Sequence, residues 1–289
     1  MYIFWQLVLQ QLLYLLRPKT IVEVGAEAGN TTQLLLGFCQ MEGGVVHSID
    51  PLPRFDVAAW KAKYGDCLVV HQKPSLEALP AIGACDLALI DGDHNWYTVF
   101  HELKLIEASS TKAGRVLPVM TFHDIGWPYG RRDLYYNPEL IPAEFRQPSE
   151  KKSIRPGISE LQEVGGINAH LWNAVSENTP RNGVLTAVED FAKESSQELE
   201  LTVIPGFHGL GVLVPVKWKS ENQRLGDFLA DLKLSPAMIG YVELLERNRV
   251  ELLMELGQLR EAYAKLEAQW RAFLMQANSP LSFKATVAY

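Results

Sequence analysis

The chain of 289 residues is 47% hydrophobic and 21% charged, close to the averages of soluble globular proteins, which excludes collagen-like, mucin-like and disordered classes. Its net charge of −7 supplies no basic field for nucleic acid or an anionic membrane, and neither is expected as a partner. Three cysteines, Cys39, Cys67 and Cys85, with no Cys-x-x-Cys pair, make neither a disulfide framework nor a zinc motif and predict a reducing, cytoplasmic setting. Residues 1–16 are apolar but interrupted by Gln6, Gln10 and Gln11, and fall short of the ~20 residues of a membrane span. Phe4, Leu7, Val8, Leu12 and Leu15 recur at helical spacing, which predicts a helix packed on the fold.

Strand-like runs follow at 21–24, 45–49, 68–70, 87–90 and 116–122, separated by helical segments at 31–38, 57–63, 76–82 and 96–108. Strict alternation with nearly all-apolar strands predicts an α/β fold with a mostly parallel sheet covered on both faces. Residues 126–181 break the rhythm with aromatics, arginines and Pro138, Pro142, Pro148 and Pro156. A connection of that length inside a domain predicts a functional insertion. A helix at 184–193 and strands at 199–204 and 209–216, joined through Pro205, Gly206, Phe207 and His208, predict an antiparallel finish to the sheet. The expected division is therefore 1–125 and 182–234 as two parts of one α/β domain, 126–181 as an acceptor insertion, 235–277 as a helical arm and 278–289 as a tail.

The arm opens with Ser235 as N-cap and Pro236 in the first turn. From Met238 to Phe273, eleven positions alternate four and three residues apart, and all but Arg249 are apolar. That heptad pattern predicts a coiled coil and a homo-oligomer. Beyond Leu234 six acidic and six basic residues balance, so the net charge belongs to the α/β part.

Four motifs carry chemistry. Glu23, Gly25, Gly29 and Thr31 lie where a strand ends in an acid, turns on glycines and enters a helix. The spacing is Gly-x-x-x-Gly, without the Gly-x-Gly-x-x-Gly of a pyrophosphate-binding turn, and the neighbouring acid suits a cationic ligand. Asp50 closes the second strand, 27 residues after Glu23, where an acid can accept ribose hydroxyls. Ser75, after the third strand, is placed to meet an adenine edge. Asp91, Asp93 and His94 cluster at the end of the fourth strand, and His123 and Asp124 at the end of the fifth, a set able to hold a divalent metal or supply a general base.

These phrases together, Ile-Val-Glu-Val-Gly-x-x-x-Gly-x-Thr, Leu-Ile-Asp-Gly-Asp-His and Phe-His-Asp, resemble class I S-adenosylmethionine-dependent methyltransferases, in the branch of macrocin-type O-methyltransferases and cephalosporin hydroxylase-like proteins. The resemblance covers about residues 5–125 and 183–216. It implies a Rossmann-like seven-stranded sheet, with Glu23, Gly25, Gly29 and Thr31 at the cofactor's methionine end, Asp50 at the ribose, Ser75 at the adenine and Asp91 near the sulfonium. It further implies Mg2+ or another divalent cation on Asp91, His123 and Asp124, although histidine here stands where a carboxylate is commoner and magnesium prefers oxygen.

Methyl transfer to a hydroxyl needs a base, and His94 is the preferred one, with Asp93 as the alternative. Trp127, Tyr129, Tyr135 and Tyr136 are expected to stack on a sugar or flat ring, and Arg131 and Arg132 to grip an anionic group. The expected acceptor is a hydroxyl on a sugar, glycan or secondary metabolite. N-methylation of an amino sugar or peptide-like compound and a non-catalytic coiled-coil assembly protein are the competing readings.

Overall fold

The apolar runs fall into place as neighbours in one sheet. The computed structural model describes residues 1–277, so the tail expected at 278–289 lies outside the described residues. In chain order the strands are β1 (Thr20–Val24), β2 (Val45–Ile49), β3 (Leu68–His71), β4 (Leu87–Ile90), β5 (Val119–His123), the short β6 (Leu134–Tyr135), β7 (Ser149–Glu150), β8 (Ser153–Arg155), β9 (Ile158–Gln162) and β10 (Trp172–Ala174), then β11 (Leu199–Ile204) and β12 (Leu210–Pro215). The helices are α1 (Gln10–Leu16), α2 (Asn30–Glu42), α3 (Val57–Tyr64), α4 (Ser75–Ile82), α5 (Trp96–Lys112), α6 (Val184–Glu194), α7 (Val216–Glu221), α8 (Gln223–Asp231) and α9 (Pro236–Ala277).

Seven strands make the main sheet in the order β11-β12-β5-β4-β1-β2-β3. β1 to β5 run parallel, and β12 joins antiparallel between β5 and β11. Separate hydrophobic clusters gather the sheet's inward side chains on its two faces, one with α4, α5 and α6, the other with α1, α2 and α8. From β1 the chain builds outward through β2 and β3, then returns to place β4 on the other side of β1. Such a reversal leaves a crevice beyond the carboxyl ends of the strands. Residues Met1–Glu246 cluster as one compact unit, and the described residues from Arg247 to Ala277 belong to a second. No helix among the described residues is long and apolar enough to cross a membrane.

Two expectations shift in detail. The fifth strand begins at Val119 rather than at 116, because Pro118 lacks an N–H for the ladder. Leu117, just before it, is held instead by the Gln197 side chain through its N–H and by the Trp218 indole at its carbonyl. The N-terminal segment packs on the sheet as expected, but a π-helical turn over Trp5–Leu9 precedes α1 and rotates the apolar face. Leu7 is consequently 75% exposed, Leu15 half-buried, and Leu9 and Leu13 take core positions.

The insertion is ordered by a small core of its own, built on Tyr129, Leu134 and Ile154. Its strands form a three-stranded sheet, β6-β10-β7, and the hairpin β8-β9. One buried carboxylate ties it to the main domain. Asp133 Oδ1 accepts the N–H of Trp96, first in α5 (2.8 Å), and of Gly183, the N-cap of α6 (2.6 Å). Its Oδ2 accepts the Tyr135 hydroxyl at 2.7 Å.

Candidate active site

The glycine turn brings β1 and β4 together. Gly25 has φ +85°, and a Cβ there would lie 2.1 Å from the Asp91 carbonyl oxygen, so only glycine permits this crossing. At Gly29, also left-handed, a Cβ would meet the Trp60 ring at 2.4 Å, where Trp60 stacks on Phe55. Asp50 braces the turn from β2: its Oδ2 accepts the N–H groups of Ala26 (3.1 Å) and Glu27 (2.7 Å), and its Oδ1 that of Leu52 (2.8 Å).

Glu23, the last but one residue of β1, is fully buried. Its Oε2 accepts the Thr32 hydroxyl at 2.6 Å and the Ser48 hydroxyl at 3.1 Å, while Oε1 is buried with no partner. Burial, only partly offset by those two hydroxyls, pushes its carboxyl up to about 7. Thr32 escaped the sequence reading, which favoured its neighbour Thr31; Thr31 is half-buried on the first turn of α2. Ser75, first in α4, donates to Glu102 Oε1 at 2.5 Å. Glu102 is likewise buried with one unpartnered oxygen, and burial raises its carboxyl to about 8. It could have been found by period, because Val99, Glu102, Leu103 and Ile106 share the buried face of α5.

Beyond β4 and β5 the two predicted clusters merge. His123 Nδ1 lies 2.8 Å from Asp124 Oδ2 and 3.3 Å from Asp91 Oδ1. Asp91 Oδ2 accepts from the Met1 ammonium at 2.7 Å. His94 Nε2 meets the same Asp124 oxygen at 2.9 Å, and His94 Nδ1 faces the Tyr136 hydroxyl at 3.3 Å. Asp124 is held in the left-handed region at φ +57°, a strained conformation for a residue with a side chain. Burial works against its charge, but His94 and His123 hold its carboxyl well below the usual range. Burial alone would lower both histidines; hydrogen bonds and charge from Asp124 and Asp91 win, raising His94 and lifting His123 to about 9. Asp93 turns away from this group, accepting the Thr98 hydroxyl at 3.2 Å, and burial raises its carboxyl. Asn95, not Asp93 or His94, caps α5, accepting the Thr98 N–H at 2.8 Å.

The insertion places its candidates unequally. Tyr135 and Arg132 are fully buried: Tyr135 bonds Asp133, and Arg132 donates to the carbonyls of Ala174, Val175 and Ser159 and pairs with Glu177. Neither is available to an acceptor, which corrects that expectation. Arg131 makes a bidentate pair with Glu189 of α6, at 2.6 and 2.7 Å. The Tyr129 hydroxyl is bound by Asn173 and Asn168, while its ring lies 5.6 Å from that of His94. Trp127 packs half-buried on the insertion core. Tyr136 remains 56% exposed beside His94.

Residues 22–125, the segment that contains every one of these strand-end acids and histidines, match the family described as a methyltransferase domain. Over these residues the chain is a methyltransferase domain. No curated protein matches it. Among solved structures it is similar to the SAH-bound methyltransferase PaMTH1 of Podospora anserina, at 15% identity over 69% of this chain and 72% of that one, with a TM-score of 0.43. It is also similar to the O-methyltransferase TomG of Streptomyces achromogenes, solved with SAM (14% identity, 72% and 78% covered, TM-score 0.40). A third is the 1,6-didemethyltoxoflavin-N1-methyltransferase of Burkholderia thailandensis (13%, 74% and 80%, 0.38).

The methyltransferase domain offers its cofactor a fitting edge. The unpartnered Glu23 Oε1 is a buried acceptor waiting for a donor, and the cofactor is cationic at both its amino and sulfonium groups. Affinity for S-adenosylhomocysteine, which keeps the amino group, is expected to rise by about an order of magnitude between pH ~6 and ~8 as Glu23 ionises. Glu23→Gln should flatten that dependence in calorimetric titration. A pH-independent wild-type affinity would remove Glu23 from the cofactor's contacts.

The three atoms that Asp91, His123 and Asp124 direct at one another lie within 4.8 Å, the one such group among the described residues. Two oxygens and an imidazole nitrogen suit a borderline divalent ion such as manganese or iron better than magnesium. Such an ion would take the place of the proton that His123 holds between the two carboxylates.

Proposed function

We propose that this domain transfers a methyl group to a hydroxyl of a small-molecule or glycan acceptor. The observation that carries the reading is the pair Asp124–His94, with His94 Nδ1 turned to the hydroxyl of the exposed Tyr136. With the proton on Nε2, toward Asp124, Nδ1 is left as an acceptor. A hydroxyl must lose its proton as the methyl group arrives, whereas a neutral amine already offers a lone pair, so an oriented base favours oxygen. When bound, the cofactor supplies a sulfonium-activated methyl group.

Every other task falls to the chain. Gly25, Gly29 and Asp50 shape the turn that receives the cofactor, and Glu23 holds its cationic end. Asp124 orients His94 and stabilises its imidazolium. The Tyr136 hydroxyl occupies the position from which an acceptor hydroxyl would give its proton to Nδ1, and its exposed ring offers a face to a sugar. Where a divalent ion binds, Asp91, His123 and Asp124 would hold it, and it would lower the acceptor hydroxyl's pKa.

Paired acceptors that differ only in a hydroxyl or an amine, incubated with methyl-labelled S-adenosylmethionine, test this reading. Label is expected in the hydroxyl member. Labelling of the amine member alone would replace it with N-methylation.

A further inference from the structure

Helix α9 carries a feature that the methyl-transfer site does not use. From Leu252 onward the apolar stripe continues through Leu256, Leu259, Tyr263, Leu266, Trp270 and Phe273, at alternating four- and three-residue steps. These side chains are between 41% and 68% exposed. Three consecutive heptads reach the length at which a coiled-coil pattern becomes meaningful. Leucine or phenylalanine fills every d position, at 252, 259, 266 and 273. The a positions hold Leu256, Tyr263 and Trp270.

The period selects the occupant. A straight helix drifts by ~20° per heptad from a strict seven-residue repeat, so the stripe stays in contact only with a helix that supercoils around it with the same repeat. Among the described residues no other helix is long enough to offer one. A second copy of α9 offers it by construction. The charges select the direction. Glu255 stands at g and Arg260 five residues later at e, the g-to-e′ spacing that pairs opposite charges across a parallel seam. Symmetry makes the pair twice. The other g-to-e′ neighbours within the seam, Ala262 with Glu267 and Gln269 with Leu274, oppose no like charges.

We infer that the 252–273 segment is one strand of a parallel coiled coil formed with a second copy of this chain. The inference is independent of which acceptor the domain methylates.

Light scattering on the full-length chain reads the assembly, with S-adenosylhomocysteine binding as the control for folding. The wild type is expected at a multiple of the chain mass, and the double substitution Leu259→Glu, Leu266→Glu at the single-chain mass with cofactor binding intact. Glu255→Arg and Arg260→Glu alone should each weaken association by about tenfold, since two attractive pairs become two repulsive ones. An equimolar mixture of the two should recover wild-type association, because both 255-to-260′ pairs are then opposite in sign. Phe273→Cys should cross-link between copies on mild oxidation. In an antiparallel pair the two positions would sit roughly 30 Å apart, about 21 residues of helix. A wild type at single-chain mass overturns the inference altogether. Failure of the mixture to recover, or of Phe273→Cys to cross-link beyond the wild type, overturns the parallel arrangement.

Discussion

His94→Ala is expected to lower kcat by about 10²- to 10⁴-fold, the range for loss of a positioned general base, while leaving S-adenosylhomocysteine affinity within about twofold. The second half of that expectation follows from position. His94 contacts Asp124 and Tyr136, not the glycine turn or Glu23. A pH profile makes the test specific. Because Asp124 and its neighbours raise His94, a base role requires the rate to climb with pH at values above the ordinary imidazole range, as the imidazolium loses its proton. Asp124→Asn removes the raising charge, so the rising limb should move to lower pH even as the maximum rate falls. A variant with unchanged kcat, or an Asp124→Asn limb that does not move, would take the base role away from His94. Tyr136→Phe separates placement from chemistry: it removes a hydroxyl from Nδ1 but leaves Asp124–His94 intact, so its effect should fall mainly on KM.

Asp133→Ala is expected to destabilise the fold by about 3–5 kcal/mol, because two backbone N–H groups and a tyrosine hydroxyl would lose their buried acceptor at ~1–3 kcal/mol each. For a domain of this size that is a fall in Tm on the order of 10 °C. Asp133→Asn keeps one carbonyl oxygen for Trp96 and Gly183 and should lose less. The charge has a cost of its own. Burial raises the Asp133 carboxyl to about 6, above its unfolded value, so its ionisation weakens the fold as pH climbs from about 4 through 6. Thermal unfolding followed by circular dichroism measures both effects, and an Asp133→Ala midpoint within about 2 °C of wild type would mean that the three donors find other partners. Loss of the tie should also loosen the insertion against α5 and α6, and with it the seating of Tyr136 over His94.

The strand-end residues were legible because their signals are local. Glu23, Gly25, Asp50, Asp91, His94, His123 and Asp124 each close an apolar run, and a parallel sheet sends every such end to one edge. The antiparallel finish was legible for the same reason, from two β-branched runs joined by a short turn. Residues whose meaning depends on a distant partner were not. Asp133 follows Arg131 and Arg132 in sequence and carries no signal of its own there, yet it meets an N–H 37 residues before it and another 50 residues after it. Arg132 and Tyr135 read as acceptor contacts, and the insertion's small core turned them inward. Tyr136, the residue just after that two-residue strand, leaves the buried pair Leu134–Tyr135 and is exposed instead.

The amino-acid sequence by itself determined the order of strands and helices, the acidic and glycine-bearing strand ends and the heptad arm, since period and turn chemistry act over a few residues. Only the tertiary structure decided which carboxylates stay charged and which histidine meets the exposed Tyr136. Those properties come from burial and from partners brought together across the sheet: Asp124 is held ionised by two histidines, while Glu23 and Glu102, buried with hydroxyls and no cation of comparable strength, are pushed toward their protonated forms.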